Sequence, residues 1–282
     1  MRVGMNLLLW AIQVKEEHFP ILPKIKAAGF DGVEVPIFVG EEKEYRQLGT
    51  ELKRLGLGAT AVTVANPDAN PVDPDPAMRR KAIDRLKWAL DLCAAAGGEV
   101  LGGPYHSPLG VFTGTGPSED EKKRAVEVLR AGGEYAAKLG IKFAVEYLSR
   151  FESYFLTTAR DACELVDRIN LPNVGILFDT FHANIEEKDP AEALQRCGKR
   201  IIHVHVSEND RGAPGTGHVP WPGIFNALHR IEYDGWLTIE AFSRAMPDIA
   251  AATRVWRDLY GREEEVYQQG AKFIREMWQR AG

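Results

Sequence analysis

Cysteine is scarce in this chain of 282 residues, and its few cysteines form no recognisable motif. There are three, Cys93, Cys163 and Cys197, with an odd total and no CxxC pair. All three lie in helix-like contexts, which is typical of free, buried or half-buried thiols in a reducing compartment. We therefore expect a cytoplasmic protein whose fold does not depend on disulfide bonds.

Long apolar runs and an excess of positive charge are also missing. A transmembrane helix would need about 18 uninterrupted apolar residues, and the sequence has no such run. Residues 1–12 carry one early Arg and an apolar run without a small-residue cleavage site, so we interpret them as a first strand, not as a signal peptide. The net charge of −5 argues against binding to duplex nucleic acid, which usually requires a basic surface. Neither a membrane nor a nucleic acid is a predicted partner.

Short apolar runs alternate with longer amphipathic segments along the whole chain. Capping residues mark several helix starts, at Asp75-Pro76, Asp189-Pro190 and Ser118–Glu121. The predicted strands are Val3–Leu9, Gly32–Val35, Ala59–Val64, Glu99–Gly102, Lys142–Glu146, Gly175–Asp179, Ile201–Val206 and Trp236–Glu240. Eight such units with no linker between them predict an α/β fold, a single-domain (β/α)8 TIM barrel over residues 1–282.

A doubly wound open sheet is the alternative architecture. To bind a dinucleotide it would need a glycine-rich loop after the first strand. The sequence there is NLLLW at residues 6–10, which cannot cradle a pyrophosphate, and this favours the barrel. The long connections at 65–74, 103–117 and 207–222 follow predicted strands, so we expect them at the barrel face that carries active sites.

Four potential metal ligands stand at the ends of four apolar runs. They are Glu146 in FAVEYLSRFE, Asp179 in VGILFDTFH, His205 in IIHVHVSEND and Glu240 in WLTIEAF. They lie 33, 26 and 35 residues apart in turn, close to the roughly 30 residues of one βα unit. They should therefore occupy similar heights on strands five to eight. His203 faces the same way as His205, and the spacing favours His205 as the ligand.

Three carboxylates and one imidazole would form a site for one hard divalent cation, and this donor set suits Mn²⁺, Co²⁺ or Mg²⁺ better than a thiolate-preferring metal. Taken singly, each acidic residue could equally be a helix cap or an ion-pair partner, but the common register of the four favours the metal site. An ion between Glu146 and Glu240 suits proton transfer next to a polarised carbonyl, with one glutamate removing a proton and the other returning one. The same residues also allow hydrolysis by a metal-bound water.

Four segments, EYLSRFE, DTFHANIEE, HVHVSENDRGAPGTG and IEAF, resemble those of the ketose 3-epimerases. This family contains the D-tagatose, D-allulose (D-psicose) and L-ribulose 3-epimerases, within the xylose-isomerase-like barrel superfamily. The similarity covers residues 140–260 or so, whereas the N-terminal half matches only in barrel pattern. The resemblance implies an isomerase that inverts C3 of a free ketose through a cis-enediolate, of the D-fructose/D-allulose, D-tagatose/D-sorbose or L-ribulose type.

The resemblance also implies roles for individual residues. Glu146 and Glu240 would be the catalytic acid–base pair and, with Asp179 and His205, would hold one divalent metal ion per subunit, with Mn²⁺ or Co²⁺ favoured over Mg²⁺. The hydroxyls at the C1–C2 end of the ketose would be bound by Glu152, His182 and Arg211. The resemblance also implies a homodimer or homotetramer. We expect three aromatic side chains of the C-terminal region to be exposed, which is compatible with an interface: Trp256, Tyr260 and Tyr267.

Other activities on the same barrel remain open. A hydride-shift aldose–ketose isomerase would need a second metal and more carboxylates, and a hydroxypyruvate-type isomerase fits the metal set but not the full RFE and DTFH…SENDR pattern. A sugar phosphate would need a basic cluster at the rim, where the sequence offers Arg211 and Arg150. DNA-repair endonucleases of this superfamily use several metals, and the acidic charge opposes duplex binding. A non-catalytic sugar-binding barrel would not need all four ligands.

Two loop features remain undecided from the sequence. The segment Gly103–Pro117 either walls the distal end of the sugar or packs onto the barrel, and its candidate residues are Tyr105, His106, Leu109 and Phe112. Glu208, in the loop after strand seven, either supports the metal site or forms an exposed salt bridge. The preferred ketose depends on these loops.

Overall fold

The computed structural model describes residues 1–281 and shows eight parallel strands that close into a barrel. The strands are β1 (Arg2–Asn6), β2 (Gly32–Pro36), β3 (Gly58–Val62), β4 (Gly98–Gly103), β5 (Lys142–Glu146), β6 (Val174–Asp179), β7 (Ile201–Val206) and β8 (Trp236–Ile239). Each strand pairs with the next in sequence, and β8 pairs with β1 to complete the ring. The predicted TIM barrel is confirmed.

One strand differs clearly from its prediction. The first strand was expected over Val3–Leu9, but β1 ends at Asn6 and Leu7–Leu9 form a 3-10 turn. The cause is local, because the Asn6 side chain accepts a hydrogen bond from the Leu8 N–H (2.8 Å) and so caps the turn. The strands at Lys142–Glu146 and Ile201–Val206 match their predicted bounds, the remaining strand ends differ by at most two residues, and Glu240 becomes the first residue after β8.

In the described part of the chain, ten α-helices connect and cover the strands. They are α1 (Leu22–Ala27), α2 (Glu42–Leu55), α3 (Pro76–Ala95), α4 (Glu119–Lys138), α5 (Ala159–Ile169), α6 (Thr180–Glu186), α7 (Pro190–Cys197), α8 (Trp221–Arg230), α9 (Pro247–Thr253) and α10 (Glu263–Ala281). The predicted caps at three helix starts are present, since Asp75, Ser118 and Asp189 each accept a hydrogen bond from a backbone N–H of the first turn. Within residues 1–281, no helix combines the length and apolarity needed to cross a bilayer.

One indole fills the N-terminal end of the barrel interior. Trp236, on β8, reaches across to β2 and β3, where Gly32 and Gly58 leave room for it. A Cβ at Gly32 would lie 2.5 Å from the Trp236 ring, and one at Gly58 would lie 2.9 Å from it, so neither position accepts a larger side chain. This end of the barrel is therefore closed by packing, and the polar residues of the interior lie toward the opposite end.

Candidate active site

The four predicted metal ligands meet at the C-terminal end of the barrel. Glu146 ends β5, Asp179 ends β6, His205 is the second-last residue of β7, and Glu240 directly follows β8. All four are buried, and one donor atom from each lies within 4.8 Å of the others. His205 Nδ1 is 3.5 Å from Glu240 Oε1, 3.7 Å from Asp179 Oδ2 and 3.9 Å from Glu146 Oε1. The structure thus brings together the set that the strand ends predicted.

This arrangement fits a divalent cation. His205 Nδ1 is buried and has no hydrogen-bond partner among residues 1–281, and it faces three carboxylates. Asp179 serves as a helix cap and also faces the cluster. Its Oδ1 accepts a hydrogen bond from the Phe181 N–H (2.7 Å) at the start of α6, and its Oδ2 faces the cluster. Oxygen donors with one imidazole suit Mg²⁺, Mn²⁺ or Co²⁺.

Burial and neighbouring charges shift the pKa values of Glu146 and Asp179 in opposite directions. Burial raises the pKa of Glu146 well above its ordinary value, and the charges of Glu240 and Asp179 raise it further. Burial alone would also raise the pKa of Asp179, but the positive charge of Arg211 and the neighbouring His205 together outweigh this and hold that pKa below its usual range. Of these two carboxyls, Glu146 is therefore the one that more readily holds a proton.

His205 experiences a strong negative field. Burial by itself would lower the pKa of His205, but the charges of Glu34 and Glu240 outweigh it and raise the pKa well above the ordinary value. Since the field that stabilises a proton on Nδ1 would equally stabilise a cation beside it, this electrostatic environment favours metal binding.

Arg211 lies within the cluster and is buried. Its Nη1 donates hydrogen bonds to Asp179 Oδ2 (2.6 Å), Glu240 Oε2 (2.6 Å) and Ser207 Oγ (2.9 Å), and its guanidinium carbon lies 3.9 Å from the centre of the Phe181 ring. Its backbone φ is +67°, a conformation that a residue with a Cβ adopts rarely. The chain therefore accepts local strain to direct this guanidinium inward.

His182 and Glu152 border the same cluster. Ser149 N–H donates to His182 Nδ1 (2.9 Å), and His182 Nε2 lies 3.8 Å from Glu146 Oε1. Burial, reinforced by the charge of Arg211, lowers the pKa of His182 to about 3, so the ring is neutral at pH 7, and Arg211 Nη2 lies 3.0 Å from its Nε2. Glu152 and Arg211 line one cavity of about 420 Å³, and burial raises the pKa of Glu152. All seven predicted site residues thus lie at one end of the barrel.

The structure adds a residue that sequence reasoning missed. Glu34, in the middle of β2, is fully buried and accepts hydrogen bonds from His203 Nε2 and His205 Nε2, both at 2.7 Å. Burial alone would raise the pKa of Glu34, but the two imidazoles outweigh it and hold that pKa well below its usual range. A carboxylate inside the apolar run GVEVP was a visible signal, because buried carboxylates require partners.

Two interpretations of individual residues need correction. Glu208 neither joins the metal cluster nor forms an exposed salt bridge, because it is buried and accepts hydrogen bonds from Gly215 N–H, Val219 N–H and Trp221 Nε1–H, which fix the loop after β7. Tyr267 is not exposed, since it is buried and packs with its ring centre 6.0 Å from that of Trp10.

Of the other loop and C-terminal residues singled out from the sequence, some are buried and some are exposed. In the segment Gly103–Pro117, Tyr105 stacks on Phe143 with ring centres 4.4 Å apart, and His106 is also buried. Leu109 and Phe112 in the same segment are exposed. The first part of the loop therefore packs onto the barrel. In the C-terminal region, Trp256 is exposed and Tyr260 half-buried.

Comparison with known proteins agrees with this geometry. The xylose isomerase-like TIM barrel family matches residues 22–277. A protein of Synechocystis sp. named "probable ketose 3-epimerase" is 31% identical over 99% of this chain and 97% of its own length. The chain belongs to the ketose 3-epimerase family. Its members are carbohydrate epimerases, so the protein is an isomerase by family.

Further ketose 3-epimerases extend this similarity to sequence and three-dimensional structure. The D-psicose 3-epimerase of Enterocloster bolteae is 31% identical over 96% of this chain and 93% of its own. The crystal structure of a D-allulose 3-epimerase from Methylomonas sp. in complex with D-allulose superposes with a TM-score of 0.91, at 28% identity, over 98% of this chain and 97% of that one. Both halves of the barrel are therefore shared with this family, not the C-terminal half alone.

Proposed function

We propose that this protein is a metal-dependent ketose 3-epimerase that inverts C3 of a free ketose. The observation that carries the proposal is the buried cluster in which Glu146 and Glu240 flank Asp179 and His205. The names of the relatives support it, because ketose, D-psicose and L-ribulose 3-epimerases all align over most of the chain.

Glu146, Asp179, His205 and Glu240 would hold the ion, with Mn²⁺ or Co²⁺ as the first candidates and Mg²⁺ as the next. When bound, a divalent cation polarises the ketone oxygen of the substrate and stabilises the negative charge that develops on it.

The two glutamates would carry the proton between the faces of C3. In one direction Glu146 removes the C3 proton to give a cis-enediolate and Glu240 returns a proton to the opposite face; in the other direction the roles exchange. Each must therefore exist in both protonation states during the reaction cycle. Because Glu146 and Glu240 come from strands on different sides of the ring, β5 and β8, they can address opposite faces of a planar intermediate.

Three further residues would orient the substrate. Arg211 offers the N–H donors of its guanidinium, His182 a neutral imidazole, and Glu152 a carboxyl group at the wall of the cavity that it shares with Arg211. A reacting C3 held between two fixed carboxylates needs such anchors, because small misplacements of the substrate cost large factors in rate.

The substrate class is a free pentulose or hexulose, of the D-fructose/D-allulose, D-tagatose/D-sorbose or L-ribulose type. One observation favours a second class: Arg254 lines the cavity beside Arg211, in addition to Arg257, which pairs with Asp210 (3.5 Å). Arg150, the other candidate, is committed to an ion pair with Glu186 (2.8 Å). Phosphorylated ketoses therefore belong among the substrates tested.

Isotope incorporation tests the reaction. The protein is incubated with Mn²⁺ or Co²⁺ and D-fructose, D-tagatose or L-ribulose in D₂O, with the 6-phosphate of D-fructose as a parallel substrate. We expect deuterium at C3 together with the C3 epimer. Label at C1 with an aldose product would contradict the proposal and identify an aldose–ketose isomerase instead.

A homodimer or homotetramer is part of the same proposal. Trp256 and Phe151, which are 68% and 65% exposed beside the same cavity, are large apolar side chains that could contribute to such an interface. Light scattering coupled to size-exclusion chromatography measures the mass directly, and a monomer of 31.4 kDa would contradict this part of the proposal.

A further inference from the structure

Glu34 is a fully buried carboxylate that none of the steps above uses. It projects from the middle of β2, on the side of the barrel opposite the strands that carry the four ligands. It lies beneath the metal cluster, in contact with His205 but in hydrogen-bond contact with none of the three carboxylates there. A buried charge at this position requires a reason, because its desolvation is costly unless it is fully paired.

Every acceptor position of Glu34 is occupied. Its Oε1 accepts from Asn6 Nδ2 (2.9 Å) and His205 Nε2 (2.7 Å), and its Oε2 accepts from Thr60 Oγ1 (3.1 Å) and His203 Nε2 (2.7 Å). A carboxylate offers about four lone pairs, so Glu34 has none left for a metal ion. The trio of Glu34, His203 and His205 is therefore a hydrogen-bond network, although its donor atoms lie close enough to suggest a second metal site.

This network determines which nitrogen of His205 can face the cluster. An ionised carboxylate only accepts hydrogen bonds, so His205 Nε2 must carry the hydrogen that Glu34 receives. The Nδ1 of the same ring then points away from Glu34 and lies 3.5 to 3.9 Å from the three carboxylates of the cluster. The ring cannot rotate about its axis to exchange the nitrogens without losing the 2.7 Å bond to Glu34.

We propose that Glu34 is a positioning residue for the metal site: it holds His205 in the Nε2–H tautomer and in the orientation that directs Nδ1 to the cation. Through Asn6 it also reaches the other side of the site, because the Asn6 Nδ2 that donates to Glu34 lies 3.3 Å from Glu240 Oε1. The inference rests on the proposed metal site. It extends that site to the N-terminal half of the barrel, which contributes none of the four proposed ligands.

The test compares Co²⁺ binding by the wild type, Glu34→Gln and Thr60→Val. The Gln side chain keeps the shape of Glu34 but replaces one acceptor by a donor amide, which must face a histidine Nε2–H or Asn6. We expect the Kd for Co²⁺, measured by calorimetry, to rise about 10- to 100-fold in Glu34→Gln. The visible absorption of the bound Co²⁺ should change as well, because the imidazole ligand is reoriented.

Thr60→Val is the matched control. Thr60 is buried in the same network and donates to Glu34 Oε2, whereas His205 bonds the other carboxylate oxygen, Oε1. Its replacement by the isosteric Val should leave the Co²⁺ affinity and spectrum close to those of the wild type. If the role of Glu34 were purely structural, both variants would unfold at a lower temperature, but the Kd of the folded protein for Co²⁺ would be unchanged. That result would overturn the inference.

A measurement on the wild type covers the case in which Glu34→Gln does not fold. In the Mg²⁺-loaded protein, ¹⁵N NMR of the histidine side chains should show His205 with its hydrogen on Nε2 and none on Nδ1. A hydrogen on Nδ1 would overturn the inference. These outcomes are separate from the proposed function, because a wild type that binds Co²⁺ without epimerising any ketose would refute the epimerase and leave the role of Glu34 intact.

Discussion

The two halves of this barrel have the same architecture and different tasks. Strands β5–β8 carry all four proposed metal ligands at or next to their C-terminal ends. Strands β1–β3 place Asn6, Glu34 and Thr60 in the same interior, where Glu34 bonds His205, Asn6 bonds Glu34 and lies 3.3 Å from Glu240 Oε1, and Thr60 bonds Glu34. In this arrangement one half of the closed barrel supplies the proposed ligands, and the other half supplies side chains that orient them.

The largest effect should come from the C-terminal half. Replacing Glu240 by Gln removes a proposed acid–base group while keeping its shape, and we expect turnover of the ketose to fall by about 10³-fold or more. Some Co²⁺ binding should remain, because three of the four donors are unchanged. Steady-state epimerisation together with calorimetry of Co²⁺ binding separates the two effects. Full activity of Glu240→Gln would remove this residue from the mechanism.

A second test in the same half concerns the buried guanidinium. Arg211→Lys keeps a positive charge but loses the planar fork that bonds Asp179 and Glu240 and lies over Phe181. We expect kcat/KM to fall about 100-fold from substrate misplacement. The matched control is Arg150→Lys, whose side chain is exposed and pairs with Glu186 outside the cluster. Equal losses in the two variants would argue against a specific role for Arg211.

The N-terminal half should give a smaller and indirect effect. Asn6→Ala removes the amide that donates to Glu34 and lies near Glu240, and it leaves a buried acceptor without its partner. Such a loss costs about 1–3 kcal/mol of folding free energy. We expect the urea midpoint to decrease and kcat to fall by less than in Glu240→Gln. If Asn6→Ala were the more damaging of the two for kcat, the division of tasks between the halves would be wrong.

The smallest predicted effect is a pH dependence of stability from the loop after β4. Burial lowers the pKa of His106 to about 3 in the folded protein, whereas an unfolded His titrates near about 6.5. Below about pH 6.5 the unfolded chain therefore binds one more proton at this position than the folded one, so stability falls as the pH decreases toward 3.

Urea unfolding at pH 7 and pH 5 measures this contribution. The loss of unfolding free energy between the two pH values should be about 1–2 kcal/mol smaller in His106→Gln than in the wild type. An identical loss in both proteins would show that His106 does not contribute. His106 belongs to the N-terminal half of the barrel, where it is buried and stacks on Phe155. Its effect should therefore appear in stability and not in turnover.

Much of the candidate site could be predicted because its signals are local. Glu146, Asp179 and Glu240 interrupt apolar runs at their ends, and even spacing along the chain translates into a common height on parallel strands. Glu208 shows where this reasoning fails: its position in the loop after β7 suggested the metal site, but its partners are backbone N–H groups 7 and 11 residues further along. A loop conformation of that kind depends on contacts that spacing does not encode.

Order, type and approximate ends of the eight strands follow from the sequence alone, since apolar periodicity, caps and turn glycines act within a few residues of each other. Tertiary structure alone decided which side chains share the barrel interior. Glu34 and His205 are 171 residues apart and yet are joined by a 2.7 Å hydrogen bond. Closure of the ring determines that contact, because only the pairing of β8 with β1 brings the first strands next to the last ones. The chain thus specifies its ligands locally, and the closed barrel supplies the partners that orient them.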